Sequence, residues 1–101
     1  MFLFMRTVEA KNAAMLPAAL QFAAEVTTYV NKTYALGVKY GVEVFSGATL
    51  HWHFETDSLD KITAIHAKLM QDREYGALLM KGKDLWVDGT FKDTILTIAG
   101  P

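Results

Sequence analysis

Two histidines and a glutamate alternate along one short segment, as His51, His53 and Glu55. Side chains two residues apart on a strand point to the same side, roughly 6 to 7 Å apart along the chain. A His-x-His pair on a strand is one way in which metal sites begin, and Glu43, Glu55 or His66 could add a third ligand. The spacing is equally typical of a hydrogen-bonded polar layer, so both interpretations stay open.

The third histidine, His66, lies beside Ile62, Leu69 and Met70 on a segment with helical spacing. From such a helix it could project toward a sheet and act as a general base or anchor a carboxylate, because the ordinary pKa of histidine lies near neutrality. His53 is the second candidate base. A boundary histidine on an amphipathic helix is the alternative interpretation.

Large apolar side chains are abundant for a chain of this size, enough to line a cavity as well as a core. Core packing is their commoner role. Together with His51, the residues predicted to face a ligand are Trp52, Phe54, Tyr29, Tyr40, Met70 and Trp86. Arg6 and Lys39 could meet an anionic group, although ion pairs and exposed strand ends explain them equally well.

The composition excludes several classes of function. The 101 residues include no cysteine, which removes disulfides and thiolate metal sites, and the formal net charge of −1 comes without a basic stripe for nucleic acid. No nucleophile elbow, Gly-rich phosphate loop or His-Glu-x-x-His helix occurs. No apolar stretch approaches the roughly 18 residues of a membrane span. We therefore expect a cytoplasmic protein that needs no cofactor and binds neither nucleic acid nor membrane.

The first half of the chain predicts strand, helix, strand. Residues 1–8 form an apolar strand, Asn12 caps a helix that continues to Tyr34, and Gly37 supplies a left-handed C-cap. Residues 38–45 alternate as an edge strand. Ser46 and Gly47 then make a turn.

The second half predicts strand, helix, strand. Residues 49–55 form a strand, and Asp57 or Ser58 caps a helix. The apolar stripe of this helix is Leu59, Ile62, Ile65, His66, Leu69 and Met70. A shorter helix over residues 72–81 ends at Gly82. Asp88 and Gly89 make a turn before a final strand over residues 90–99.

This order is the ferredoxin-like βαββαβ arrangement of an α+β protein, here as one domain over residues 1–101. Right-handed crossovers place the first and third strands in the centre of a four-stranded antiparallel sheet, with the helices on one face. The first strand is apolar on its other face as well, with Leu3 and Met5 there. Something must cover that face, and a second copy of the chain is the simplest cover.

Two stretches resemble the dimeric α/β barrel superfamily, which includes antibiotic-biosynthesis monooxygenases and NIPSNAP-type domains. Residues 50–55 followed by Ser58-Leu59 are similar to the aromatic third strand of NIPSNAP-type domains, and residues 72–75 to the acidic-aromatic segment after their second helix. The resemblance implies a homodimer whose sheets form a barrel, with a pocket in each subunit between sheet and helices. NIPSNAP-type strands often carry Arg after the Trp, where this chain has His53.

Three hypotheses of function follow. The leading one is a homodimer that binds a small, mainly apolar ligand, aromatic or acyl, between its sheet and helices. The alternative is a cofactor-independent monooxygenase or isomerase with His66 or His53 as the base. The third is a metal or haem protein that uses His51, His53 and His66.

Overall fold

The computed structural model describes residues 1–43 and 47–99. Four antiparallel strands form one sheet in the order β2-β3-β1-β4. Their bounds are Phe2–Glu9 (β1), Lys39–Val42 (β2), Thr49–Thr56 (β3) and Lys92–Thr97 (β4). The helices are Leu16–Tyr34 (α1), Leu59–Gln71 (α2) and Arg73–Lys81 (α3), with a short 3-10 turn, Ala13–Met15, before α1. The predicted α+β fold of ferredoxin-like order, with β1 and β3 central, is confirmed.

The strand register defines two faces of the sheet. Arg6 of β1 stands opposite Trp52 of β3 and Asp93 of β4, and its neighbour Met5 stands opposite His53. Because successive side chains alternate, the sheet separates two sets of residues. The covered face, which meets the helices, carries Phe4, Arg6, Val8, Leu50, Trp52, Phe54, Asp93 and Ile95. The open face carries Leu3, Met5, Thr7, Lys39, His51, His53, Glu55 and Leu96.

Asparagine side chains lie near both ends of α1. Asn12 accepts a hydrogen bond from the backbone N–H of Met15 (3.1 Å) and so caps the 3-10 turn before α1, whereas the N-cap of α1 itself, Met15, has no side-chain cap bond. At the other end the left-handed C-cap is Ala35, with φ of 54°, and Gly37, which was predicted for that role, is left-handed two residues later, with φ of 68°. The Asn31 amide explains the difference, because it binds both the N–H (2.7 Å) and the carbonyl (3.0 Å) of Val38. This clamp turns the chain immediately after Tyr34.

Short polar side chains also set the limits of α2 and α3. Ser58 caps α2 by accepting from the N–H of Asp60 (3.1 Å), whereas Asp57 pairs with Lys61 in an exposed contact of 2.8 Å. Asp72 ends α2 and caps α3, since its carboxylate accepts from the N–H of Tyr75 (3.0 Å). The predicted helix and the shorter one after it are therefore both present.

The two edge strands are shorter than predicted. In place of residues 38–45 the second strand is Lys39–Val42, and positions 44–46, with half of the predicted Ser46–Gly47 turn, lie outside the described residues. The last strand begins at Lys92 rather than at residue 90. Thr90 is held in the preceding turn, because its hydroxyl donates to the carbonyl of Val87 (2.7 Å) and accepts from the N–H of Glu9 (3.1 Å).

The core lies between α1 and the two central strands. Val8 and Leu50 have no exposed surface, and Ala19 and Ala23 are small enough to let α1 approach them closely. The buried cluster is completed by Ala10, Phe22, Val26, Val30 and Trp86. No helix within residues 1–43 and 47–99 has the length and apolar character needed to cross a membrane.

Candidate functional site

A cavity of about 360 Å³ separates the covered face from the helices. All three helices and both central strands contribute to its wall, which is largely aromatic and aliphatic. Its apolar lining includes Phe22, Val26 and Val30 from α1, Trp52 and Phe54 from β3, and Ile62, Ile65 and Leu69 from α2. A second depression, near Met1 and Lys61, is larger at about 540 Å³ but more open and lined by more polar side chains. The first cavity is less open and more apolar, and is therefore the better ligand site.

Aromatic contacts hold one wall of the cavity in place. The ring of Trp86 meets Phe22, Trp52 and Phe91 edge-on, with centroid distances of 5.7, 6.1 and 6.2 Å. Such edge-to-face pairs add to the stabilisation that burial alone provides. Gly82 leaves room for them, because a Cβ atom at that position would lie 2.5 Å from the Phe22 ring.

An ion pair lies at the edge of the cavity, with its Arg6 side chain among the lining residues. The Nε and Nη2 atoms of Arg6 donate to the two carboxylate oxygens of Asp93, at 2.7 and 2.9 Å. This bidentate contact raises the pKa of Arg6 and lowers the pKa of Asp93, so both remain charged near neutral pH. Tyr75 lies close to Arg6, and burial raises the pKa of its hydroxyl. His66 also lines the cavity, near enough to Asp93 to contribute to the lowered pKa of that carboxyl.

Two buried polar atoms of cavity-lining residues have no hydrogen-bond partner within the described residues. They are the indole Nε1 of Trp52 and the hydroxyl Oγ1 of Thr27, and Thr27 is only 9% exposed. A buried donor without an acceptor is costly, and such groups in folded proteins are nearly always satisfied by a partner. Both atoms are covered by other protein atoms, so their unpaired state is a cost of the packing around the cavity rather than a contact offered to a bound molecule.

The structure brings together only part of the predicted ligand-binding set. Trp52, Phe54 and Trp86 line the cavity, and so does His66. The other predicted residues do not line it, and each has a local reason.

Tyr29 donates its hydroxyl to Asp72 (2.7 Å), which turns its polar end to the α2–α3 junction. Tyr40 lies on the edge strand β2 and is 41% exposed. Met70 is 75% exposed, because it follows Leu69 by one residue and is rotated by about 100° around the helix.

The histidine pair lies on the other side of the sheet. His51 and His53 are on the open face with ring centroids 5.2 Å apart, and burial, then the charges of His51 and Lys39, lower the pKa of His53. Strand alternation therefore separates this pair from His66 by the thickness of the sheet. The predicted site with all three histidines is wrong within one subunit, and no group of three metal-ligating side chains occurs in residues 1–43 and 47–99.

The polar residues of the cavity were only partly visible in the sequence. Arg6 was considered as an anion contact, but its partner Asp93 is 87 positions away and follows from the β1–β4 register alone. Tyr75 belongs to the segment of residues 72–75 that carried the family resemblance, yet its place beside Arg6 depends on how α3 packs.

A carboxylate with two tyrosines fixes the helices that form the cavity wall. The hydroxyls of Tyr29 and Tyr34, both on α1, donate to the same Oδ2 of Asp72, at 2.7 and 2.6 Å. The bond to Asp72 raises the pKa of Tyr34 to about 12, and the Tyr34 hydroxyl is the main cause of the lowered pKa of Asp72. The α2–α3 junction is thereby tied to α1.

No protein-family model matches the chain, and no curated protein has significant similarity to it. Among solved structures the chain is similar to a NIPSNAP family protein of unknown function from Agrobacterium tumefaciens. The two are 27% identical with a TM-score of 0.80, over 98% of this chain and 88% of that one. An uncharacterised NIPSNAP domain protein from Burkholderia xenovorans is 15% identical, with a TM-score of 0.80 over 98% and 95%.

A monooxygenase from Streptomyces coelicolor, solved in complex with the ligand nanaomycin D, is 16% identical. Its TM-score is 0.70 over 99% of this chain and 88% of the other. At 15 and 16% identity the Burkholderia and Streptomyces structures show the fold alone. The resemblance drawn from the sequence is confirmed at this level, because the similar structures are NIPSNAP family proteins and monooxygenases of the same fold.

Proposed function

We propose that this protein binds a small, mainly apolar ligand, aromatic or acyl, in the cavity between the covered face and the helices. The apolar cavity of about 360 Å³ is the observation that carries the proposal. Ligand sites are typically concave and apolar, of about 300 to 1,000 Å³, with a few polar groups that orient the ligand. The bound nanaomycin D of the similar Streptomyces structure supports the use of this fold for such a ligand.

The proposal includes a second copy of the chain on the open face. Leu3, Met5 and Leu96 form an apolar strip there, and Leu96 is 48% exposed. Within the described residues, all three helices contribute to the cavity on the covered side. Two open faces packed against each other would bury both strips and the His51–His53 pairs between them.

A matched pair of variants tests ligand binding. Leu69 lines the cavity and Met70 beside it points to solvent, so Leu69→Trp fills the cavity while Met70→Trp adds the same side chain outside it. With the fused-ring hydrocarbon tetralin as the probe, calorimetry should show binding to the wild type and to Met70→Trp but not to Leu69→Trp. Equal binding to both variants would place the probe elsewhere and contradict the proposal.

The second candidate function is a cofactor-independent monooxygenase or isomerase. Its support is the position of His66, which lines the cavity beside the Arg6–Asp93 pair. His53, the other predicted base, lies on the open face and does not reach the same space. A His66→Gln variant should bind tetralin as the wild type does but lose turnover of an enolisable ketone. Unchanged turnover would remove this candidate.

A further inference from the structure

The wall of the apolar cavity carries a lysine whose charge is not matched by a neighbouring carboxylate. The lining residues with a full charge are Arg6, Lys83 and Asp88. Arg6 is paired with Asp93, whereas neither Lys83 nor Asp88 forms an ion pair within residues 1–43 and 47–99. Lys83 therefore brings a positive charge to the cavity that is free to meet a ligand.

The place of Lys83 in the chain puts this charge at the edge of the cavity. Lys83 is exposed and directly follows Gly82, the buried C-cap of α3 that lies against the Phe22 ring. A lysine at such a boundary can lay its methylene groups along an apolar wall and keep its ammonium group in water. The cavity thus combines an apolar interior with a cation at its edge.

Arg6 and Tyr75 add hydrogen-bond donors to the same wall. Asp93 does not line the cavity, and it accepts from the Nε and Nη2 atoms of Arg6. The other N–H groups of the guanidinium are left for another acceptor. Tyr75 lines the cavity close to Arg6 and carries a hydroxyl that can donate. Donors therefore outnumber acidic groups among the described residues that line the cavity.

This arrangement favours an anionic group on the ligand over a cationic one. An amphipathic carboxylate can place its hydrocarbon part inside the cavity and keep its charged group at the edge, where neither charge loses all of its hydration. There the carboxylate is attracted by the Lys83 ammonium group. An amine in the same position would be repelled by Lys83, and Asp88 is the one described acid on the wall that would attract it.

We propose, on the basis of the ligand binding proposed above, that the ligand is an aromatic or acyl molecule with a terminal carboxylate, and that Lys83 selects it. Lys83 forms an ion pair with the carboxylate at the edge of the cavity, and Arg6 offers its remaining N–H groups. Asp88 opposes the binding of the anion by repulsion. Lys83 and Asp88 are then the residues that determine the preferred charge, whereas the apolar wall provides affinity without regard to charge.

The expected discrimination is small but measurable. An ion pair that stays partly exposed changes an equilibrium by roughly two- to fivefold. Lys83→Met retains most of the apolar stem and removes the charge, so it should weaken the binding of a carboxylate by this factor. The binding of an uncharged hydrocarbon should stay nearly unchanged. Such a change in preference differs from the general loss of affinity that a damaged cavity would produce.

The test compares tetralin with 1,2,3,4-tetrahydro-1-naphthoate, which has the same ring system and carries a carboxylate. Calorimetry at about 0.1 M salt, where charges more than about 10 Å apart are largely screened, gives the two dissociation constants. The quantity of interest is their ratio. Lys83→Met should shift this ratio by roughly two- to fivefold toward tetralin, and Asp88→Asn should shift it in the opposite direction.

The matched control is Lys81→Met. Lys81 ends α3, is exposed and does not line the cavity, so this variant loses the same charge outside the site. It should leave the ratio nearly unchanged, and thermal unfolding verifies that each variant is folded. A third ligand, 1,2,3,4-tetrahydro-1-naphthylamine, places a positive charge on the same ring system. It should bind the wild type more weakly than the carboxylate does.

Three outcomes would overturn the inference. The first is a ratio that Lys83→Met and Lys81→Met change equally, and the second is tighter binding of the amine than of the carboxylate. Either outcome leaves the proposed apolar ligand site standing. The third is the failure of both tetralin and the carboxylate to bind the wild type, which would overturn the proposed function together with this inference.

Discussion

The polar side chains on the two faces of the sheet have different partners. On the covered face Arg6 is matched by Asp93 in a bidentate ion pair, and Arg6 lines an apolar cavity. On the open face His51 and His53 stand side by side near Lys39, and the pKa of His53 is lowered. The alternating pattern of β3 therefore contributes to an apolar cavity on one side and, on the other, to the surface on which we propose a second copy of the chain.

The largest expected effect comes from the covered face. Phe22 is 7% exposed and packs on Trp86, so Phe22→Ala should lower the free energy of unfolding by about 3 to 5 kcal/mol. Phe91 touches the same tryptophan but is 53% exposed, and Phe91→Ala should cost less than about 1 kcal/mol. Urea unfolding measures both. Similar losses of unfolding free energy for the two variants would show that Phe22 is not more tightly packed than the exposed Phe91.

A charged substitution on the open face should weaken the association of two copies and should not change the stability of the fold. Met5→Lys places a cation beside His53 and Lys39 in the proposed interface, and should weaken dimer formation by about a hundredfold or more. Ala67→Lys adds the same charge to the exposed side of α2 and serves as the control. Sedimentation velocity across a concentration series gives the association constants. A wild type that remains monomeric at all concentrations would contradict the dimer proposal.

Two glycines test whether the packing beside the cavity is tight, because Gly82 lies against Phe22 and Gly76 has open space around it. Gly82→Ala would bring a Cβ atom within 2.5 Å of the Phe22 ring and should destabilise the fold by about 1 to 3 kcal/mol. Gly76 lies within α3 with open space around it, and Gly76→Ala should stabilise the fold by about 0.5 to 1 kcal/mol. Chemical denaturation should separate the two variants in opposite directions. Equal effects would indicate that Phe22 moves freely at the site.

The smallest effect concerns the tyrosines that tie α1 to Asp72. The pKa of Tyr34 is raised to about 12, so its stabilising contribution is complete below its ordinary pKa of about 10. That contribution disappears as pH rises from about 10 to 12. The pKa of Asp72 is lowered, so its contribution is present above the ordinary carboxyl range and disappears as pH falls through the folded pKa.

Tyr34→Phe should therefore flatten the pH dependence of stability at both the acid and the alkaline end. Denaturant melts between acid and alkaline pH measure this, and ultraviolet absorption of tyrosinate follows the titration of Tyr34 directly. The effect should be modest, because the cluster is accessible to solvent. Retention of both pH limbs in the variant would show that the bonds to Asp72 do not stabilise the fold.

Local patterns were sufficient to predict the elements and their order. The alternation from Leu50 to Glu55 identified β3, and short polar side chains such as Ser58 marked helix starts. The sequence was less informative where a side-chain contact decides the position of a helix end. The C-cap of α1 is Ala35 rather than Gly37, although both are left-handed, because the Asn31 amide binds Val38.

The candidate site was less predictable than the fold. Trp52 and Phe54 were predicted to face a ligand and both line the cavity, whereas His51, predicted with them, lies on the opposite face of β3. The partners of Arg6 and Tyr29 are set by strand register and helix packing across 87 and 43 positions, which no local pattern contains. Met70 was assigned to the apolar stripe of α2 but is exposed. Helical spacing identifies the apolar side of a helix, but it does not say how much of that side the sheet covers.

The central claim is that ligands bind on the covered face and not on the open one. Nuclear magnetic resonance can observe both at once, through the indole N–H signals of Trp52 and Trp86 and the ring signals of His51 and His53. On titration with tetralin, both indole signals should shift, because Trp52 and Trp86 line the cavity, while the signals of the two histidines stay unchanged. Shifts confined to His51 and His53 would contradict the account.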